Sequence, residues 1–436
     1  MASSGPLPTN GHDSFKPKLI DKAIKLFSSR YALSLGAQAL VSGFHFALNL
    51  YLVRTISLYD YGVFAFAFVL ALFASAINNA LISTPLTVYT PIIKDADERA
   101  HQEAMFSTLN LLLFGFLVVA GLAYAWLSGI PNDTALAVTL FVAVYSARQY
   151  SRSFGYSRLR PLVTATGDVF YVLAGLAIIA VLHFTQPAMP VSYILLALAA
   201  GNLIAMLVER LRLHGSKKRW LTVANLRKYA TVWEQSRWAL IGALTTLFLA
   251  QAHSLIITWH AGPGTYAPLA AGFVLFGPVR VALLTWQNMV KPELAMALAD
   301  KQQEAVLQQI KRTSIMMAAA VVVMAICVAI AWPWIHKLLY AKQYADQPMH
   351  FIVGMWSLTT LFAAIYNAPS AALQAMKEFR VLAMASVFGA VLSGVLVTVL
   401  LFKSGPISTL YAILAAELFM AVYLMRIMWA RLKGAA

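Results

Sequence analysis

The chain has 436 residues, 60% of them hydrophobic and 11% charged. That leaves too little polar surface for a soluble protein of this length, so the composition excludes a water-soluble enzyme and sets the class as an all-α polytopic membrane protein. The net charge of +16 does not call for nucleic acid, because the basic residues are sorted by side of the membrane rather than gathered on one surface.

In chain order, residues 1–30 precede any apolar run. The stretch MASSGPLPTNGHD is rich in Pro, Gly and Ser and reads as disordered. Phe15, Leu19, Ala23 and Phe27 then recur at every fourth position among Lys16, Lys18, Lys22 and Lys25. That pattern suits a cytoplasmic tail with an interfacial amphipathic helix on an anionic leaflet, or a solvated tail that only sets topology.

A spanning helix needs about 20 apolar residues. Twelve segments are predicted: Tyr31–Val53, Tyr61–Thr84, Phe106–Trp126, Ala135–Tyr150, Pro161–Phe184, Val191–Leu213, Trp238–Trp259, Tyr266–Val290, Thr313–Trp334, His350–Leu373, Val381–Phe402 and Ile407–Trp429. Alternate loops then face opposite sides. Of 33 basic residues, 28 share a side with both termini, and only Arg54, Lys337, Lys342 and Lys403 lie on the other. The positive-inside rule places both termini in the cytoplasm. Arg280 alone is left in the membrane interior.

Residues 31–213 read as an N-terminal six-helix bundle and 238–436 as a C-terminal one. The cytoplasmic linker 214–237 is basic and amphipathic, with Trp220, Leu221, Leu226, Tyr229 and Trp233 interleaved. Set without gaps over Ile407–Arg426, Val191–Arg210 aligns Ser192 with Ser408, Ala199 with Ala415, Ala200 with Ala416 and Arg210 with Arg426. A parallel six-plus-six repeat is a recurrent transporter plan, with the substrate path between the halves.

Charges inside a bilayer are costly and face the bundle interior or a watery cavity. Asp168, Arg280 and Glu417 are placed there. Arg280 follows Gly277 and Pro278, a hinge candidate because proline frees backbone groups. Its planar fork suits phosphate or carboxylate; the alternative is an ion pair with Asp168 or Glu417. Glu417 and Asp168 are candidates for coupling transport to H+ or Na+, although Asp168 is also within reach of Arg148 or Arg152 on the neighbouring helix. In the first span Ser34, Gln38, Ser42, His45 and Asn49 fall on one stripe, which either lines a hydrated path or hydrogen-bonds packed helices. The length of the stripe favours the path. Asn78, Asn79, Gln251 and His253 are weaker instances.

One cysteine, Cys327, excludes disulfides and a cysteine metal site within one chain. There is no phosphate-binding loop, no metal-spaced His/Cys cluster and no nucleophile elbow. No enzyme, cofactor or metal is expected.

Four segments carry a resemblance: Tyr51–Leu81, Met289–Val306, His336–Pro348 and Leu373–Ser386. They resemble bacterial polysaccharide and O-antigen flippases of the multidrug/oligosaccharidyl-lipid/polysaccharide exporter superfamily. The resemblance implies a V-shaped pair of six-helix bundles that alternates between inward- and outward-open states in the bacterial cytoplasmic membrane. It implies a lipid-linked oligosaccharide cargo on an undecaprenyl diphosphate or similar anionic carrier, used for surface polysaccharide. It further implies a central cavity lined by helices 1, 2, 7 and 8, an eighth-helix arginine (Arg280) that meets the diphosphate, and polymerase or glycosyltransferase partners. Arg54 is the next cation, with Gln38, His45 and Asn49 along the same wall. One departure is that relatives hold several cavity cations, whereas the sequence places only Arg280 inside. The alternative is a drug/cation antiporter of the same superfamily, which asks for acidic cavity residues rather than a central arginine.

Overall fold

The computed structural model describes residues 30–128, 131–186, 189–213, 223–300, 303–376 and 378–434. The amphipathic pattern at Phe15–Phe27, and Trp220 and Leu221 of the linker, lie outside the described residues. Among the described residues there are helices and connecting turns and no strand, as expected where lipid offers the backbone no hydrogen-bonding partner.

The helices are α1 (Arg30–Thr55), α2 (Leu58–Ile92), α3 (Ala96–Ser128), α4 (Asn132–Ser157), α5 (Pro161–Thr185), α6 (Val191–Arg212), α7 (Val223–Ala261), α8 in two segments (Pro263–Val274 and Gly277–Ala299), α9 (Gln303–Ile330), α10 (Met349–Ala375), α11 (Phe379–Ser404) and α12 (Thr409–Gly434). Nine of these are long and apolar enough to cross a membrane alone, and the two segments of α8 make a tenth as a bent span. The remaining two, α1 and α4, carry polar residues that lower their hydropathy, yet α1 packs along α5, and α4 along α3, α2 and α6. All twelve predicted spans therefore correspond to helices.

Two helices contain local breaks with visible causes. In α2 a π-helical turn, Asn79–Ser83, precedes Pro85. Such a turn disturbs regular backbone bonding, and buried Asn78 lies at its start, donating to Asn110 at 2.8 Å and accepting from Ser83 at 2.8 Å. In α8 the axis turns by 59° at Leu275–Phe276. Gly277 and Pro278 open the second segment, where the missing proline N–H is one the helix would not have paired anyway. Tyr340 caps the Ala271 carbonyl of the first segment at 3.2 Å, and Trp356 donates to the Leu269 carbonyl at 2.8 Å.

The two halves meet chiefly at the face opposite the chain termini. There Leu52, Tyr61 and Phe64 share one apolar core with Tyr266, Ala267, Tyr340 and Tyr344. Toward the terminal face the cores separate. Leu294, Ile310, Leu373 and Leu424 form one within the C-terminal half. Ile82, Leu86 and Phe106 form another, which takes Val232 from the start of α7. The halves thus share one core at the face opposite the termini, and at the terminal face they meet through the start of α7.

The seal is backbone against backbone. A β-carbon on Gly62 would lie 1.8 Å from the Pro263 carbonyl oxygen, and main chain cannot swing aside as a side-chain tip does. Gly62→Ala is expected to open this face. In a Cys327→Ser background with a reporter cysteine at Leu52, which is fully buried, labelling by an impermeant maleimide added from that side should rise. Unchanged labelling would mean the seal does not depend on this contact.

Candidate functional site

Each half holds a polar cluster built from a histidine, an arginine, a carboxylate and a tyrosine. In the N-terminal half, Arg148 of α4 is buried and its Nη2 lies 2.5 Å from Asp168 Oδ1 on α5. Arg152, one helical turn on, reaches the other oxygen at 3.2 Å. Arg148 also donates to Asn202 of α6 at 3.2 Å, and its guanidinium covers the Tyr171 ring at 4.5 Å. The Tyr171 hydroxyl lies 3.0 Å from His45 Nε2 on α1. Both oxygens of Asp168 are therefore engaged by cations, and the pair is fully desolvated.

This is the pairing of Asp168 with Arg148 and Arg152 on the neighbouring helix that the sequence offered as an alternative, and the fourth span is longer than the predicted Ala135–Tyr150. Helix α4 continues to Ser157, and both arginines lie within it. Arg280 is thus not the only arginine set among packed helices. A hydropathy reading stops at the first charge, whereas pairing with Asp168 and Asn202 offsets the desolvation that the reading penalises. Glu209 of α6 was likewise missed. It is fully buried, hydrogen-bonded to Ser151 through Oε2, with Oε1 unpartnered. Its neighbour Arg210 makes it look like an interfacial residue.

The polar stripe of α1 is turned toward its neighbours. Gln38, exposed, accepts from Arg152 at 3.0 Å. Asn49 donates to the His45 carbonyl at 2.8 Å and accepts from Tyr61 of α2 at 3.2 Å. His45 and Asn49 thus serve the hydrogen bonding between packed helices that was the alternative reading. The side chain of Ser34 lies outside the described residues.

In the C-terminal half the geometry differs. Arg280 sits on the first turn after the α8 break, half-buried, with its guanidinium 4.5 Å from the Phe273 ring centre. Glu417 of α12, Tyr366 of α10 and His253 of α7 lie within its electrostatic reach. Tyr366 and Glu417 lie within electrostatic reach of one another, and the buried Glu417 Oε2 has no hydrogen-bond partner. His253 is buried beside Trp356, with Ser254 between Gln251 (3.0 Å) and Tyr266 (2.9 Å). Among the described residues Arg280 has neither a hydrogen bond nor an ion pair within 4 Å, so its five donors remain open.

The structure does not bring Arg54 to this place. Phe46 is the α1 residue beside Gly277, and Arg54 stands eight residues further on, about 12 Å along the helix, exposed in the last turn. Asp168 and Arg280 belong to separate clusters. Among the described residues no three His, Cys, Asp or Glu side chains are grouped to hold a metal.

No family model matches the chain. Among curated proteins it is similar to the EPS I polysaccharide export inner membrane protein EpsE of Ralstonia solanacearum, with 24% identity over 282 residues. That match covers 62% of this chain and spans 63% of the relative's length. Among solved structures, the lipid II flippase MurJ in an inward closed conformation aligns with a TM-score of 0.67 and 13% identity, over 91% of this chain and 87% of that one. An inward-facing multidrug resistance MATE family transporter aligns at 0.63 and 14%, over 95% and 98%. The chain is therefore a multi-pass membrane protein that shares the fold of these solved transporters, the second of them a member of the multidrug/oligosaccharidyl-lipid/polysaccharide exporter superfamily that the sequence resembles.

Proposed function

We propose that this protein is a flippase that moves a lipid-linked, undecaprenyl-diphosphate-type oligosaccharide across the bacterial cytoplasmic membrane by alternating access, for surface polysaccharide biosynthesis. The observation that carries this reading is Arg280, a half-buried guanidinium at a helix bend whose donors have no acceptor among the described residues. An anionic headgroup supplies the acceptor, and the planar fork binds phosphate oxygens in pairs. The positive-inside rule makes the terminal face cytoplasmic, the side on which such precursors are assembled. The relative's name, a polysaccharide export inner membrane protein, and MurJ's, a lipid II flippase, point the same way.

In this reading residues 31–213 and 238–436 are the two moving bundles, 214–237 links them, and Gly277 and Pro278 border the hinge. Arg280 binds substrate, and Glu417 couples the cycle to H+ or Na+. Polymerase or glycosyltransferase machinery consumes the product. The MATE neighbour keeps a drug/cation antiporter in view, but a cationic cargo needs free carboxylates. Asp168 has both oxygens taken by arginines, and Glu417 faces Arg280. In a deletion strain, mass spectrometry of extracted lipids is expected to find accumulated lipid-linked oligosaccharide together with loss of exported polymer. Unchanged lipids and polymer, with new sensitivity to cationic drugs, would favour the antiporter.

A further inference from the structure

A hollow lies apart from both polar clusters. A groove of about 600 Å³ opens between α9 and α10, with Phe276 of the α8 break at its inner end. It runs from the middle of both spans to their ends at the face opposite the termini. Small residues create it: Ala325 and Ala329 on α9 face Gly354 on α10. A β-carbon on Gly354 would meet no atom within 4 Å, so the recess reaches down to the backbone.

Both walls are membrane spans, so the groove opens into hydrocarbon. Its lining offers water too little, because Ser357 already donates to the Gly354 carbonyl at 2.6 Å and a buried water needs two to four polar partners. Left empty, the walls forfeit dispersion contacts. Trp332 and His350 stand at the mouth, the level where amphipathic rings meet lipid headgroups. We propose that this groove is a binding site for one acyl chain of a phospholipid from the leaflet on that face, with its headgroup beside Trp332 and His350.

Phe276 is fully buried and closes the groove toward the interior that holds Arg280. The headgroup of a chain in the groove therefore sits at the mouth, which selects a resident of that leaflet over a cargo molecule held at Arg280. The bound chain also supports Phe276 from behind, where helical bonding of α8 is interrupted. It acts as a prop under the bend.

The test uses the full chain in phosphatidylethanolamine/phosphatidylglycerol nanodiscs containing a phosphatidylcholine with a diazirine midway along one acyl chain. Photolabel located by peptide mass spectrometry is expected to concentrate on residues 321–332 and 350–361. Gly354→Leu, whose side chain enters open space, should remove that label while labelling of the lipid-facing α3 residues Leu111 and Phe116 stays constant. Ala329→Leu narrows the other wall and should give the same loss if the first variant fails to fold. Equal labelling of groove and α3, or labelling indifferent to both variants, would overturn the proposal. Displacement of the label by undecaprenyl phosphate at concentrations where added phosphatidylcholine has no effect would also overturn it, assigning the groove to an isoprenoid tail.

Discussion

Arg280→Ala is expected to abolish polysaccharide export while leaving the amount of protein in the membrane unchanged, and Arg280→Lys to retain part of it. Truncating one partner of a desolvated charge pair costs about 2–5 kcal/mol, roughly 30-fold to several thousand-fold in affinity. Lysine keeps the charge but loses the planar fork. Folding should be spared because nothing in the protein depends on this guanidinium: its contacts are the Phe273 ring and longer-range attraction to Glu417. Accumulated lipid-linked precursor, measured beside an immunoblot of the membrane fraction, reads out both halves of the expectation. Normal export by the alanine variant would remove Arg280 from substrate binding. Glu417→Gln keeps the shape of the side chain while removing a charge, so it separates coupling from packing. Transport by this variant with unaltered pH and sodium dependence would rule out Glu417 as the coupling group.

The second large effect is structural. Asp168→Ala is expected to destabilise the N-terminal half by about 3–5 kcal/mol, the cost of leaving buried cations without their partner. Two guanidiniums, at 2.5 and 3.2 Å, lose their carboxylate together. Thermal unfolding in detergent should shift strongly downward, with less protein recovered from membranes. The double variant Arg148→Met/Asp168→Asn is expected to recover most of the loss, because an apolar side chain of similar length asks for no counter-charge and Arg152 keeps some solvent contact. Should Asp168→Ala instead remain as stable as the parent and lose only its dependence on pH or sodium, Asp168 would be a coupling residue and not a structural clamp.

These two arginines also mark where the sequence was legible and where it was not. Runs of about 20 apolar residues locate spans because hydrocarbon imposes that length on every helix, and all twelve predicted segments appear as helices. The α8 break was readable from Gly277-Pro278, and Arg280 from a lone charge in an apolar run. What hydropathy cannot see is pairing. The sequence put Asp168 within reach of Arg148 and Arg152 on the adjacent helix, but only their meeting in space shows both carboxylate oxygens taken and Arg148 buried. Tyr366 carried no signal either, since an isolated tyrosine in a span looks like any other packing residue until it is found near Glu417 and Arg280. The stripe from Gln38 to Asn49 was visible as a periodicity, but the period does not say which neighbour the stripe faces.

Helix α7 begins on one half and ends on the other. Tyr229 donates to the Leu81 carbonyl at 2.6 Å, and Val232 completes the core around Ile82, Leu86 and Phe106, while the remainder of the helix packs along α11. The unit that folds as the first half therefore does not stop at residue 213. In chimeras that exchange halves between relatives, a junction between residues 213 and 223 would strip the first half of its cover and graft foreign side chains onto it. A junction placed after Val232, inside the helix, would leave both packing surfaces with their native partners.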